Sequence, residues 1–400
     1  MNDTPKNCLL TINGGSSSIK YALFEIEGSL NQLLTGEIAN IGNGSATLQF
    51  IHSGKEQQHQ IDIKIANHSE AADWLVNWLE KEAEYIHIKA IGHRIVQGMD
   101  HASPELITAK LIKELKAISA YDPEHLPSEI RLVEAFKKHF PKVDQVACFD
   151  TSFHSSMPAI AKLLPLPRKY RDKGIKRYGF HGLSYSYLME EFERLAGTDA
   201  SQGKIIMAHL GSGASLAAVK NGKSLDTSMG FTPASGLTMS TRTGDLDPGV
   251  AWYLMKSEKL TPKKFNHLVN HESGLLGISE TTADMQQLLN LRQEDPRAAE
   301  ALDFFCYQAI KWIGAFTAVL GGLDTLIFSG GIGEHSSEIR KRICDGLQFL
   351  GIELDETKNT TNEKIISAEA SRASVRVIKT NEELMIARSV CKILNYNIKH

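Results

Sequence analysis

The stretch Asn13-Gly14-Gly15-Ser16-Ser17-Ser18-Ile19-Lys20 lies between two short apolar runs, Cys8 to Ile12 and Ile19 to Glu25, that read as β-strands. Two glycines in a small polar turn let main-chain N–H groups approach an anion without a Cβ in the way. Lys20 adds a mobile positive charge on the returning strand. The arrangement suits a phosphate. It is a strand–turn–strand, and the chain contains no G-x-x-x-x-G-K-[ST], so a Walker-type P-loop is excluded. Taken alone, the segment favours an ordinary β-turn by roughly three to one.

A second stretch changes that balance. Ile205-Ile206-Met207-Ala208-His209-Leu210-Gly211-Ser212-Gly213-Ala214-Ser215, continued by Leu216 to Val219 and a turn at Asn221-Gly222, repeats the same plan just past the midpoint. Such self-similarity points to two similarly built lobes. A third Gly-rich segment follows the strand Thr325 to Ser329. Gly330-Gly331-Ile332-Gly333-Glu334 reads as a turn leading into a helix from about His335 to Leu350, where unpaired first-turn N–H groups can cradle a nucleotide. Two phosphate-sized turns and a strand–Gly–helix element point to ATP held in the cleft between two lobes.

Composition is consistent with this. Four hundred residues suffice for two cores, and 42% apolar and 23% charged residues are ordinary for a globular chain. A net charge of −3 gives no electrostatic reason to expect nucleic acid or an anionic membrane as partner. Met1 to Cys8 is polar and lacks a signal-peptide core. Trp312 to Phe328 is interrupted by Gly314, Gly321-Gly322 and Asp324, so it reads as a buried helix followed by a strand. The five cysteines show no C-x-x-C spacing and read as reduced and structural, in keeping with the cytoplasm.

Helices are expected at about Ser69 to Glu84, Ala109 to Ala120, Pro127 to Lys138, Ser184 to Leu195, Pro262 to Asn270 and Arg297 to Leu320. Further strands are expected at Ala90 to Val96, Gln145 to Phe149 and Val375 to Ile378. The alternation is an α/β pattern. Lobe boundaries fall near 150 and 383, giving an N-terminal lobe 1–150 completed by 384–400 and a C-terminal lobe 151–383. Hinges near Asp150 and Asn381 would accompany closure on a ligand.

Three clusters carry candidate chemistry. Arg94 lies inside the apolar strand Ile91-Gly92-His93-Arg94-Ile95-Val96, where a charge needs a partner; a substrate carboxylate or phosphate and an internal salt bridge are both open. Asp150 ends a buried strand, the place where α/β proteins put ligand contacts, and also reads as a helix cap. His181, between Phe180 and Gly182, and Arg242, in Thr241-Arg242-Thr243-Gly244-Asp245-Leu246-Asp247-Pro248-Gly249, can each stabilise a negatively charged transition state. Most of the 15 histidines should be inert. Asp245 and Asp247 read as loop structure around a Pro248-Gly249 corner.

Together these segments resemble the acetate kinase family, within the superfamily of actin-like, ribonuclease H-like ATPases. The resemblance rests on Asn13 to Lys20, Gly92-His93-Arg94, Phe149-Asp150-Thr151 with Phe153-His154, Arg177 to Gly182, Thr241 to Gly249, Ser273 to Gly277, Gly330 to Glu334 and Asn381 to Leu384. It spans essentially the whole chain. It implies reversible phosphoryl transfer between ATP and a short carboxylate such as acetate, with Arg94 gripping the carboxylate. Arg242 and His181 would stabilise the phosphoryl group in flight, alongside Asp150. Since ionised acetate has no proton to remove, Asp150 is better suited to positioning than to general-base work. Val96, Phe180 and Pro233 would line a small acyl pocket. Lys20, His209, Leu210, Gly211, Ser212, Gly213, Asp284, Met285, Gln286, Gly330, Gly331, Ile332, Gly333 and Glu334 would contact ATP. Asn13 and Glu382 would hold or orient Mg²⁺, with Mn²⁺ as a substitute. A homodimer is implied, with Ala301 to Leu320 either interface or core.

The chain departs from the family pattern at several places. Glu124 stands where a leucine closes the acyl pocket, Ser212 where an asparagine faces the phosphates, and Gln286 where an arginine flanks the adenosine. Gln97 and Met99 also differ. A superfamily ATPase without kinase activity and a propionate kinase are the other readings. A sugar kinase would instead use a carboxylate as base for a hydroxyl.

Overall fold

Strands form where apolar residues run continuously, as in Leu9 to Ile12 and Ile205 to Ala208, and these runs are wholly buried. In a computed structural model of the chain, which describes residues 6–15, 17–42, 45–55, 57–82 and 86–398, they become the central strands of two mixed sheets. Ser16, residues 1–5 of the expected polar N-terminus and residues 83–84 of the first expected helix lie outside the described residues. The chain divides into two compact units, one of residues 1–152 with 381–400 and the other of residues 153–380.

Unit 1 carries β1 (Lys6–Gly14), β2 (Ile19–Glu27), β3 (Ser29–Ala39), β4 (Ala46–His52), β5 (His59–Ile63), β6 (Ile86–Ile95), β7 (Glu105–Leu106) and β8 (Asp144–Phe149) in the order β5-β4-β3-β2-β1-β6-β8-β7. Unit 2 carries β9 (Lys204–Leu210), β10 (Ala214–Lys220), β11 (Lys223–Thr227), β12 (Thr325–Ser329) and β13 (Ser374–Val377) in the order β11-β10-β9-β12-β13. The two share one plan. In each, three antiparallel strands are followed across the sheet by two parallel ones, β6 and β8 in unit 1 and β12 and β13 in unit 2. Unit 1 is wider by the edge strands β4, β5 and β7.

Helices His68–Glu82 and Leu126–His139 cover the unit 1 sheet with Leu75, Val76, Leu132 and Phe136. The C-terminal helix Glu382–Leu394 packs on β1, β6 and β8. In unit 2, helix Pro296–Leu320 buries Ala301, Phe305, Ile313 and Phe316, while Phe304, Tyr307 and Val319 stay exposed. One face of this helix is therefore core.

Some expectations need correction. The sequence reading placed no strands between Glu25 and Ser69, yet β3, β4 and β5 lie there. The alternation Ala46, Leu48, Phe50 marks β4 as half-buried, but Gly, Thr and Gln interrupt the pattern in β3. Gly330-Gly331-Ile332-Gly333-Glu334 is not a turn ahead of a helix; it is itself helix Gly330–His335. The expected helix from His335 to Leu350 breaks at Ser336, whose side chain accepts from Ile339 N and caps a new helix, Ser337–Asp345. Pro248, expected at a corner, opens helix Pro248–Ser257 with Asp247 as its cap.

Candidate active site

In unit 1 the side chains singled out from the sequence gather at the ends of β1, β6 and β8. Arg94, near the end of β6, donates from Nε and Nη2 to one carboxylate oxygen, Asp150 Oδ2, at 3.0 and 2.6 Å. Its Nη1 donates to Asn13 Oδ1 at 3.3 Å and to Gly14 O at 3.4 Å. Asp150, one residue past β8 and fully buried, is fixed by its own N–H to Ile95 O. Burial disfavours the Arg94 charge, but the carboxylates of Asp150 and Glu382 more than offset it, and the guanidinium pKa is raised. The internal salt bridge weighed from the sequence is thus present.

Asn13 links this pair to the C-terminal helix. Its Nδ2 donates to Glu382 Oε2 at 3.0 Å and to Glu383 Oε1 at 3.2 Å. Asn381 caps that helix by accepting from Leu384 N, which places both glutamates in its first turn, where the helix dipole favours negative charge. Burial, then the Glu382 charge beside it, raises the Glu383 pKa. Lys20, exposed on β2, shares a surface depression with Glu37, Gln49 and Glu383. The sequence reading named Glu382 and passed over Glu383; adjacent carboxylates after a capping asparagine were the available signal.

In unit 2 a tight hairpin joins β9 to β10, with Gly211 N donating to Gly213 O. His181 precedes helix Gly182–Ala196 in a left-handed conformation, φ 58°, unusual for a residue with a Cβ. It is buried, its Nδ1 lies 2.9 Å from Ser215 Oγ, and its ring stacks on His209 with centroids 4.3 Å apart. Arg242 is aimed by Nη1 donating to Pro233 O at 2.7 Å. Gly213 brings these groups together: a Cβ there would stand 2.8 Å from Arg242 Nη2 and 3.2 Å from His181 Nε2. A side chain there would displace the Arg242 guanidinium.

The neighbouring strand leads straight into the short helix Gly330–His335. Ser329 pairs with His209 across β12 and β9. Gly330 follows with φ +75°, and a Cβ there would sit 2.7 Å from Leu210 O. Gly331 N then lies 3.8 Å from the Cβ position of Gly211, so the β9–β10 hairpin and the start of helix Gly330–His335 are adjacent. Glu334 does not point outward by Oε1, which accepts from Ser329 Oγ, Gly330 N and Thr380 N. The fully buried Arg340, absent from the sequence reading, donates to Gly333 O and Glu334 O and fixes this short helix; burial pushes its pKa down to about 10. Ile332 is half-buried, and Gly333 is buried.

The other expected residues are more dispersed. Phe180 and Val96 are buried, in units 2 and 1 respectively. His154 Nε2 donates to Phe180 O and its Nδ1 accepts from Ser224 Oγ; burial pushes its pKa down to about 4, which fits that neutral form. Asp284 caps helix Met285–Leu291 by accepting from Gln287 N, Met285 is buried, and Gln286 is exposed beside Asn290. Asp245 accepts from Gly236 N, the loop role expected of it. Ser212 O accepts from Ser240 N and ties the hairpin to the Arg242 loop. Among the described residues there is no cluster of three or more His, Cys, Asp or Glu side chains placed to hold a metal on their own.

Sequence comparison places this arrangement. The profile of the Acetokinase family matches residues 8–388. The chain belongs to this family. Over 97% of its length it is 42% identical to an acetate kinase of Rickettsia felis, covering all of that protein, and 41% identical to one of Clostridium novyi, covering 99% of it. Among solved structures, it is similar to acetate kinase of Porphyromonas gingivalis, with TM-score 0.86 and 34% identity over 97% of this chain and 100% of that one. It is equally similar to a propionate kinase of Francisella tularensis, with TM-score 0.89 and 35% identity over 96% and 98%. The acetokinase chain thus has the actin-like ATPase fold in both of its sheets, and its family acts on ATP.

Proposed function

We propose that the protein is an acetate kinase that transfers the γ-phosphoryl group of ATP to a carboxylate oxygen of acetate, giving acetyl phosphate and ADP, and catalyses the reverse. The observation that carries this is Arg94, a charged guanidinium held by Asp150 at the end of a buried strand, with one edge engaged only by longer contacts. Such a group takes a carboxylate with two parallel hydrogen bonds.

Transfer is direct and in line. Arg94 binds and orients acetate, and Asp150 keeps Arg94 in its rotamer without accepting a proton. Val96 in unit 1 and Phe180 and Pro233 in unit 2 supply apolar surface for the methyl group. Arg242 and His181 stabilise negative charge on the phosphoryl group as it moves, which is where such transfer gains most. The Gly211–Gly213 hairpin, His209 and the start of helix Gly330–His335 receive the nucleotide phosphates, and Lys20 in unit 1 supplies a further positive charge for them. Mg²⁺ fits the donor set, because it takes one or two carboxylates and leaves its other positions to water and phosphate. Glu382 would hold it, with Asn13 as orienter, since Asn13 Oδ1 already accepts from Arg94 and Nδ2 donates to the glutamates. When bound, the ion supplies charge neutralisation at the phosphates.

The Francisella propionate kinase supports propionate as a second acceptor. A small apolar pocket separates the two by only about 1–3 kcal/mol per methylene. The five free, buried cysteines support the cytoplasm as its location. Exposed Trp252, Tyr253, Phe304 and Tyr307 support a homodimer, which light scattering would test against a monomeric mass. Incubation with Mg-ATP and hydroxylamine should give acyl hydroxamate with acetate, less with propionate and little with butyrate. ATP hydrolysis indifferent to carboxylate, or phosphorylation of glucose, would contradict the proposal.

A further inference from the structure

Glu129, on helix Leu126–His139, is a buried acid that the mechanism above does not use. It is 2% exposed. Its Oε2 accepts from Val96 N at 3.0 Å, and its Oε1, equally buried, has no hydrogen-bond partner among the described residues. Val96 is two residues from Arg94, and a Cβ on Gly14, whose carbonyl Arg94 reaches, would lie 4.0 Å from Glu129 Cγ. Glu129 therefore stands at the carboxylate-binding corner of unit 1.

We propose that Glu129 is a positioning residue for substrate: bonded to Val96 and beside Arg94, it governs how much of the Arg94 positive charge is available to an incoming carboxylate. The inference rests on the reading of Arg94 as the acetate-binding group. Three charged groups face Glu129: Arg94 from β6, Asp150 from the end of β8, and Asp122 from the loop ahead of its own helix, itself paired with His125 at 3.0 Å. Burial pushes the Glu129 carboxyl up to about 8; Arg94 and the Val96 N–H pull it down, and the two aspartates push it further up. At neutral pH Glu129 is thus a neutral acid, and Arg94 is balanced chiefly by Asp150 and Glu382. Once Glu129 ionises, a further carboxylate competes with acetate for the same guanidinium. An acid here makes acetate binding fall as pH rises.

The test measures KM for acetate and for ATP from pH 6.5 to 9.5 in the full-length enzyme and in Glu129→Gln. Ionisation near pH 8 leaves about a tenth of Glu129 neutral at pH 9. The acetate KM of the unaltered enzyme should therefore rise about tenfold between pH 7 and 9, with the ATP KM changing far less. Glu129→Gln cannot ionise, and its acetate KM should stay level over that range. A level acetate KM in the unaltered enzyme overturns the inference even if the variant does not fold, and so does an equal rise in both proteins. In either case acetate-dependent ADP release at pH 7 leaves the kinase reading standing. Absence of that release at pH 7 overturns the kinase reading and this inference with it.

Discussion

The two sheets share one strand order and carry opposite chemistry at the ends of their central strands. In unit 1, the turn after β1 lies beside Arg94, Asp150, Glu382 and Glu383, so Arg94 sits among carboxylates. In unit 2, the equivalent turn after β9 lies beside His181, His209 and Arg242, with bare backbone from Gly213. The first set suits a carboxylate and a divalent cation; the second suits phosphate oxygens. The plan of the sheet fixes where ligand groups gather, and side chains at those strand ends decide which charge they accept.

This contrast can be tested from its largest expected effect downward. Asp150→Ala should leave the half-buried Arg94 without its tightest partner and lower unfolding free energy by about 3 kcal/mol in urea titrations. A loss below about 1 kcal/mol would mean that Asn13 and Glu382 suffice for Arg94. The buried histidines offer a symmetric test. Burial pushes His93 in unit 1 and His154 in unit 2 down to about 4 from an ordinary 6.5. The folded value lies below the unfolded one, so stability is complete above about pH 6.5 and is lost as pH falls towards 4. Each histidine contributes up to about 3 kcal/mol to that loss. His154→Gln should flatten the stability–pH curve by about half, and an unchanged curve would show that His154 takes up its proton as readily in the folded protein as in the unfolded one.

Gly213→Ala should press a methyl group against Arg242 and His181 and lower kcat by about thirtyfold, about 2 kcal/mol, with little change in acetate KM. An unaltered kcat would separate the hairpin from the phosphoryl-binding pair. On the proposed reading, Asn13→Ala should raise half-saturating Mg²⁺ about tenfold, as removal of an orienting residue does, and leave ATP KM nearly unchanged. An unchanged Mg²⁺ requirement would remove Asn13 from the metal's surroundings.

Much of this contrast was legible in the sequence because it rests on local grammar. A glycine pair between apolar runs marks a tight turn, so both hairpins were readable. Arg94 inside Ile91 to Val96 announced its need for a partner, with an internal salt bridge as one of the open answers, and Asp150 stood out at the end of a buried strand. What escaped depends on distance along the chain or on patterns polar residues obscure. Arg340 matters because it reaches back to the Gly333 and Glu334 carbonyls, and nothing around it in sequence says so. Glu129 looks like an ordinary helical glutamate until Val96 and Arg94 come up against it. Strands β3 to β5 were missed because Gln32, Thr35, Gly36 and Gln49 break the apolar pattern that marks the inner strands. The helix at Gly330 was read as a turn because glycine propensity favours one, and the Glu334 and Arg340 hydrogen bonds override it.

One paired measurement tests the division of labour most directly: initial rates of Arg94→Ala and Arg242→Ala across acetate and ATP concentrations, at constant Mg²⁺. Arg94→Ala should raise acetate KM at least tenfold with ATP KM nearly unchanged. Arg242→Ala should lower kcat several-hundredfold, about 3–4 kcal/mol, and leave both KM values within a few-fold. If Arg94→Ala instead lowers kcat with acetate KM unchanged, or both variants lose nucleotide affinity equally, then carboxylate and phosphoryl recognition are not divided between the two sets of residues.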